Sequence, residues 1–489
     1  MSPNTCFPPE RGASSPIAAR ILQDPYLTYD VSGDVVVIAI KADLLVSKQA
    51  LAASPDRLLP ALQDVAVRVG SLIDAGGDDK PNPRAFNADG TERVASVTSY
   101  APPAEPGPAA DVELWRLLDT QTRNSIDEAR RLRQIAEGWR PGQRPGYPPQ
   151  QSPAVSPNHV AILAPATDGC PAGPPTMAAA SANFILPVAS GPTAAVTVLD
   201  SGYIPLNPNL NQRVTLVNGA WFDGTTGAWV SDATDGSYLA KAQASGELDG
   251  ITGHGTFISG LIANICPQVE LTVVGLRDQE VPITGMSQLQ QHGLYASEVA
   301  IARAMLQYGP GADVIQCGFA FPTLDDYPSL PFRRVLEQFD GDDVDTVVVC
   351  PAGNESSTHR YWPASLKDAT GIAVIGVAAT DRRDLSRAEF SNWGNWCECC
   401  TRGAYVYSTF VDFTGRVEGE GPDVERFTGW ARWDGTSFAA PQVSALIARA
   451  KLYSPEIGSA AAYAELKDAA LGANQVVWDQ GIGLPRLVA

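Results

Sequence analysis

Residues 159–489 of this 489-residue chain predict an α/β domain with a doubly wound, mostly parallel sheet flanked by helices. Two observations carry that expectation. Short runs rich in Val and Ile are almost continuously apolar, as strands covered on both faces must be. Helical stretches follow these runs in repeated alternation, and no internal repeat is present.

The strands are expected at AAVTVLD (Ala194–Asp200), ELTVVGL (Glu270–Leu276), ADVIQCG (Ala312–Gly318), DTVVVCP (Asp345–Pro351) and GIAVIGV (Gly371–Val377). Helices are expected at Gly255–Asn264, Ala296–Gln307 and Thr436–Tyr453. Pro441 is tolerable in the last of these if it falls in the first turn.

Ahead of this domain, residues 1–140 predict a smaller α/β or mainly helical domain with a regulatory or docking role. Val35–Ile40 reads as a buried strand. Arg57–Asp74 reads as a helix with Pro60 in its first turn. Asp111–Trp139 reads as a long helix capped by Asp111, with Trp115, Leu118, Ile126, Ala129, Leu132 and Ala136 at three- or four-residue steps and a gap at Thr122. Ala75–Pro108, rich in Gly, Pro and Asp, reads as a loop. Residues 141–158 form a Pro-rich linker, because successive prolines sustain neither helix nor sheet ladder.

Composition narrows the function. Hydrophobic residues make up 44% of the chain, enough for a sizeable core. Lys+Arg number 35 and Asp+Glu 54, a formal net charge of −19, which disfavours nucleic acid and anionic membrane surfaces as partners. The start MSPNTCFPPERGASSP lacks a basic, then apolar, targeting pattern. The eight cysteines do not space as a small disulfide scaffold, so free thiols and a cytoplasmic location are expected.

Ser437 lies in Asp434-Gly-Thr-Ser-Phe-Ala-Ala-Pro441 and opens an apolar helical pattern. Free backbone N–H groups and the positive end of the helix dipole there favour a negative oxygen, although most serines at such places are only caps. A serine hydroxyl needs a base, and the base an orienting carboxylate. Of the four histidines, His254 sits among small residues in Thr-Gly-His-Gly-Thr at another helix start. His292 and His359 lie in polar stretches and read as surface residues, while His159 begins a strand. Asp200 ends an apolar strand, where ligands and catalytic groups gather in open α/β sheets; a turn aspartate in Asp-Ser-Gly is the plainer reading. Asn354 in Pro-Ala-Gly-Asn-Glu follows the strand TVVVC, so its amide can donate to a developing oxyanion.

In chain order, Asp-Ser-Gly, His-Gly-Thr, Ala-Gly-Asn and Gly-Thr-Ser-x-Ala-x-Pro resemble the signature of the subtilisin-like (S8) serine peptidases. Five fixed residues in the serine motif, each at about one in 20, would occur by chance in roughly one chain in several thousand, so four ordered motifs make coincidence negligible. The order Asp, His, Ser is that of this family. The resemblance covers Ala194–Leu452 best and implies a subtilisin-like fold. It also implies a serine endopeptidase with Asp200, His254 and Ser437 as triad, Asn354 in the oxyanion hole, and protein or peptide substrates. Gly318, Phe319 and Ala320 would be the substrate-binding strand. There Gly318 to Phe321 replace the family's usual Ser-x-Gly-Gly run, and Phe321 is expected to reshape the pocket.

Other features depart from secreted relatives. No signal is evident, and residues 1–140 do not read as the usual pro-domain. Gly219–Gly250 reads as an insertion, with Asp223, Asp232, Asp235 and Asp249. These carboxylates are compatible with a calcium loop but lack EF-hand spacing, so solvated side chains are preferred and no cofactor is expected. Trp396-Cys-Glu-Cys-Cys400 lacks matched zinc ligands, so free thiols are preferred there too. The leading expectation is a selective intracellular protease whose N-terminal domain meets a regulatory protein partner. The alternatives are a precursor-processing transamidase sharing the acyl-enzyme step, and a non-catalytic binding protein on the same fold.

Overall fold

The computed structural model describes residues 24–32, 35–72, 85–87, 107–137, 153–162, 175–178, 193–204, 210, 212–218, 220–223, 228–231, 239, 242–276, 295–367, 370–418 and 423–488. Its centre is an eight-stranded sheet in the order Cys399–Arg402, Ala373–Thr380, Val347–Pro351, Val314–Cys317, Ala194–Asp200, Val269–Gly275, Val214–Asn218, Ala85–Asn87. Every neighbouring pair is parallel except the last. The five expected strands are all present, each within two or three residues of its expected limits.

Their continuous apolar character has the predicted cause. The middle strands are buried along their whole length, from Val314 to Cys317 and from Val347 to Pro351. One face packs under the helix Thr436–Tyr453, whose Ala439, Ala440, Ala445 and Ala448 are buried and permit a close approach. The helices His254–Ile265 and Glu298–Tyr308 also form where expected. Pro441 sits in the second turn of its helix rather than the first, so it removes the bond that its own N–H would have given the Ser437 carbonyl.

The N-terminal unit differs more. Its antiparallel sheet runs Tyr295–Ser297, Val155–Ile162, Val35–Ser47, Val112–Leu117, Ala66–Ser71, with Leu27–Ser32 beside Val35–Ser47. Helix is confined to Leu58–Gln63 within the expected Arg57–Asp74 span, and Ala66–Ser71 is an edge strand, as β-branched Val65, Val67 and Val69 at alternate positions favour. The expected helix from Asp111 begins only at Ser125. Val112–Leu117 is a strand, and the gap at Thr122 is a turn in which the Asp119 carboxylate accepts from the Gln121 and Thr122 N–H groups. Asp111 does not cap that helix; its carboxylate accepts from the Ser47 hydroxyl at 2.7 Å and the Gln49 N–H at 2.8 Å, at the start of the short helix Lys48–Ala53, and pairs with Arg334 at 2.9 Å. Ala75–Pro108 lies mostly outside the described residues.

The strand Val155–Ile162 spans the expected boundary at residue 158. It joins the N-terminal sheet to Tyr295–Ser297, which leads into the helix Glu298–Tyr308. Alternation along Val35–Ile40 divides the sheet's two faces. Val35, Val37 and Ala39 meet Leu58, Leu62, Ile126, Ala129 and Leu132. Ile38 and Ile40, with Leu114 and Val160, share a core with Val299, Ala302, Met305 and Val335 of the larger domain. Among the described residues, no helix is long and apolar enough to cross a membrane.

A buried polar seam fixes this junction. Glu298 is 0% exposed and His159 1%. The Leu324 N–H donates to His159 Nε2 at 2.9 Å, so the ring proton sits on Nδ1, 2.7 Å from Glu298 Oε1. Glu298 also accepts from the His159 N–H at 3.0 Å and the Ser329 hydroxyl at 2.6 Å. Truncating one partner of such a cluster leaves buried donors unmatched. Glu298→Ala should therefore destabilise the protein by about 3–5 kcal/mol in chemical unfolding. Glu337→Ala, which breaks only surface pairs with Arg333 and Arg334, should cost about 1 kcal/mol or less.

Candidate active site

Three neighbouring parallel strands deliver three site residues to one edge of the central sheet. Asp200 ends its strand, Gly318 follows Cys317, and Asn354 follows Pro351. Parallel pairing puts these strand ends side by side, with Cys317 opposite Leu199 and Gln316 opposite Val349. The crevice at the carboxyl ends of such strands is where open α/β sheets bind ligands.

Asp200 and His254 are both buried, at 1% and 2% exposure. His254 Nδ1 lies 2.8 Å from Asp200 Oδ1 and 3.0 Å from Oδ2. A carboxylate can only accept here, so Nδ1 carries the proton and Nε2 presents a lone pair. Asp200 Oδ1 also accepts from the Ser201 N–H at 2.7 Å and the Ser201 hydroxyl at 3.0 Å. The same hydroxyl accepts from the Gly255 N–H at 3.1 Å, tying Asp-Ser-Gly to the start of the His254 helix. A Cβ on Gly255 would stand 2.1 Å from the Gly202 carbonyl oxygen, so this contact requires glycine. Trp433 meets the His254 ring edge-on at 5.5 Å, and Phe438 lies 5.3 Å away, so aromatic rings wall the imidazole.

Ser437 sits in the first turn of its helix and is partly exposed. Its hydroxyl donates to the Gly318 carbonyl at 3.3 Å rather than to His254. Asn354 is oriented by its neighbours: Oδ1 accepts from the Thr436 N–H at 2.8 Å and hydroxyl at 2.9 Å. That pattern assigns the amide, leaving Nδ2 as the donor, on the side of Gly435.

Sequence reasoning missed Asn392, which holds the Asn354 turn from behind. Asn392 is fully buried. Its Oδ1 accepts from the Glu355 and Ser357 N–H groups at 3.1 and 2.8 Å, and its Nδ2 donates to the Ala352 carbonyl at 2.9 Å and to Glu355 Oε2 at 2.7 Å. No short motif could reveal it, because its partners lie 35–40 residues away.

Phe319 and Phe321 turn their rings into the core, 6.4 and 5.9 Å from Phe332, and the Phe321 backbone pairs with Trp362. Ala320 is partly buried. His359 is half-exposed, 3.8 Å from Asp326, and His292 lies outside the described residues. Asp232 and Asp235 also lie outside them, whereas Asp249 accepts from the Thr252 N–H and hydroxyl at 2.8 and 2.6 Å. Among the described residues, no three His, Cys, Asp or Glu side chains are grouped as a metal site would need. Cys397 and Cys399 are buried free thiols, and burial pushes both up to about 12. Glu398 between them turns to Lys367 and Lys467, and those two ammonium groups hold its carboxyl below the usual range.

Comparison with known proteins fits this geometry. The profile of the Peptidase S8 (subtilase) family matches residues 191–483. Among solved structures, the keratinolytic enzyme fervidolysin from Fervidobacterium pennivorans is similar at TM-score 0.53 and 15% identity, over 94% of this chain and 61% of that one. The chain thus spans less than two thirds of fervidolysin. A protease from Pseudoalteromonas arctica PAMC 21717 matches at TM-score 0.39 and 21% identity, over 56% of this chain and 82% of that one. A lanthipeptide protease matches at TM-score 0.40 and 20% identity, over 60% and 85%. No curated protein matches the chain.

Glu355 yields a pH prediction. Part of the residue reaches the surface, but its carboxyl is turned inward onto Asn392, and burial raises it to about 7. A raised carboxyl stabilises the fold while protonated. That contribution is complete below its unfolded value near 4.5 and is lost as pH rises through about 7. Relative to Glu355→Gln, the wild type should therefore lose up to about 1.4 kcal/mol per pH unit across that window in urea titrations.

Proposed function

Because this chain belongs to the subtilase family of serine endopeptidases, we propose that Asp200, His254 and Ser437 are its catalytic triad and that it is a selective protease of the cell interior. The Asp200–His254 bond carries the reading, since it leaves His254 Nε2 free to accept a proton at the start of the adjoining helix.

In this reading Ser437 swings from the Gly318 carbonyl toward His254 and attacks the scissile carbonyl. The proton passes to Nε2 and from there to the leaving amine. Asp200 holds the ring and stabilises the imidazolium without taking the proton. The growing oxyanion meets Asn354 Nδ2 and the Ser437 N–H, both fixed before reaction, so little reorganisation opposes the step. Water then repeats the sequence on the acyl-enzyme. Gly318, Phe319 and Ala320 would contribute mainly backbone to a bound peptide, because the two flanking aromatic rings are already packed inward.

Selectivity is supported by the N-terminal sheet. It is seated against the segment Phe321–Ser329 that follows the Gly318 strand end, and is proposed to choose a substrate or regulatory protein partner. His159 grips the Leu324 N–H, Arg133 reaches Asp325 at 3.3 Å and Arg130 bridges Asp30 and Asp325. A cytoplasmic setting is supported by the six described cysteines, all free thiols, several at neighbouring buried positions.

A fluorophosphonate probe tests the triad. The wild type should be labelled at Ser437 and Ser437→Ala should not; equal labelling of both would remove Ser437 as nucleophile. Asn354→Ala should slow peptide hydrolysis by about 10²–10³ while leaving the fold intact. Hydrolysis at the wild-type rate would take Asn354 out of the oxyanion hole.

A further inference from the structure

Gly318 stands where two ends of the site meet. Its N–H donates to the Leu199 carbonyl at 3.0 Å, which sets it beside Asp200 on the neighbouring strand. Its carbonyl receives the Ser437 hydroxyl. A Cβ built on Gly318 would lie 1.5 Å from Asp200 Oδ2 and 2.7 Å from Asp200 Cγ, inside covalent and contact distances. The next neighbour, Ile258 Cδ1, would be 3.3 Å away.

The carboxylate has little freedom to yield. Its Oδ1 is held by three donors, from His254 and from the Ser201 backbone and hydroxyl, and its Oδ2 by His254 Nδ1 at 3.0 Å. Rotating Oδ2 away from a side chain at 318 would turn it off His254. Withdrawing the Gly318 backbone instead would move the carbonyl that meets Ser437. The first adjustment disturbs the partner of His254 and the second the partner of Ser437.

We infer that Gly318 is a positioning residue whose missing side chain lets the Asp200 carboxylate lie against His254, so that a serine there, although the usual residue in the resembling family, is harmful in this chain. This rests on the reading of Asp200, His254 and Ser437 as the triad. It assigns Gly318 a role distinct from pairing with substrate, because the space it leaves is filled by Asp200.

The test is the rate of fluorophosphonate inactivation across pH for wild type, Gly318→Ala, Gly318→Ser and the control Gly341→Ala, whose Cβ would meet nothing within 4 Å. Displacing a reacting group by about 1 Å costs about 10²-fold, and a fall of that order in the plateau rate is expected for both Gly318 variants. Their acid limb should also move to lower pH, because an imidazolium that loses its facing carboxylate gives up its proton more readily. Wild-type rates with an unmoved limb in Gly318→Ser would overturn the inference. A stability cycle keeps it testable if these variants fold poorly. Gly318→Ala should lower the melting temperature clearly in the wild type and far less in an Asp200→Ala background, where the obstructing carboxylate is gone. Equal losses in both backgrounds would overturn it. Wild type that is not labelled at Ser437 would instead overturn the triad reading, while the stability cycle still reports on the Asp200–Gly318 conflict.

Discussion

The hydrogen bond between Asp200 and His254 is the constraint that the rest of the site serves. A carboxylate at 1% exposure persists only if its lone pairs are matched, because an unpaired buried charge costs several kcal/mol. The Ser201 backbone and hydroxyl match one oxygen, and the imidazole spans both. The strand end sets where that carboxylate stands, the helix starting at His254 sets where the ring stands, and Gly202 against Gly255 sets the distance between them. Aromatic walls from Trp433 and Phe438 keep the pair dry, which strengthens its electrostatics.

Much of this was legible in the sequence. Strands covered on both faces must be apolar throughout, so the central sheet appeared as Val- and Ile-rich runs. The site residues appeared at the ends of those runs, where small neighbours and helix starts are recognisable over four to eight positions. What short motifs do not encode is contact across long separations. Asn392 braces the Asn354 turn through partners 35–40 residues distant, and nothing within FSNWG marks that role. The direction of the Ser437 hydroxyl, toward Gly318, depends equally on a residue 119 positions away.

The N-terminal unit was read less well for a related reason. Over a short run, helical and strand patterns share residues: Trp115 and Leu118 fit a helical stripe, yet Leu118 is exposed and Trp115 is buried with Val112, Leu114 and Leu117 along a strand covered on both faces. Which pattern wins is set by the sheet that receives the segment. The same sheet draws in Val155–Ile162, whose polar His159 is buried because Glu298, 139 residues later, accepts a hydrogen bond from its Nδ1–H. The Pro-rich approach to that strand gave no sign of it. The result is a shared hydrophobic core across the junction rather than a tethered appendage, with polar clamps placed on the segment that follows Gly318.

Two buried imidazoles among the described residues should therefore donate Nδ1–H to a carboxylate, His254 to Asp200 and His159 to Glu298. Short charge-assisted bonds of this kind strongly deshield the proton. Proton NMR of protein labelled with ¹⁵N at histidine should show two Nδ1–H resonances far downfield of the amide region. One of them should vanish in Asp200→Ala, and both should remain in Ser437→Ala. A wild-type spectrum without a His254 resonance, or one whose His254 resonance survives Asp200→Ala, would contradict the account.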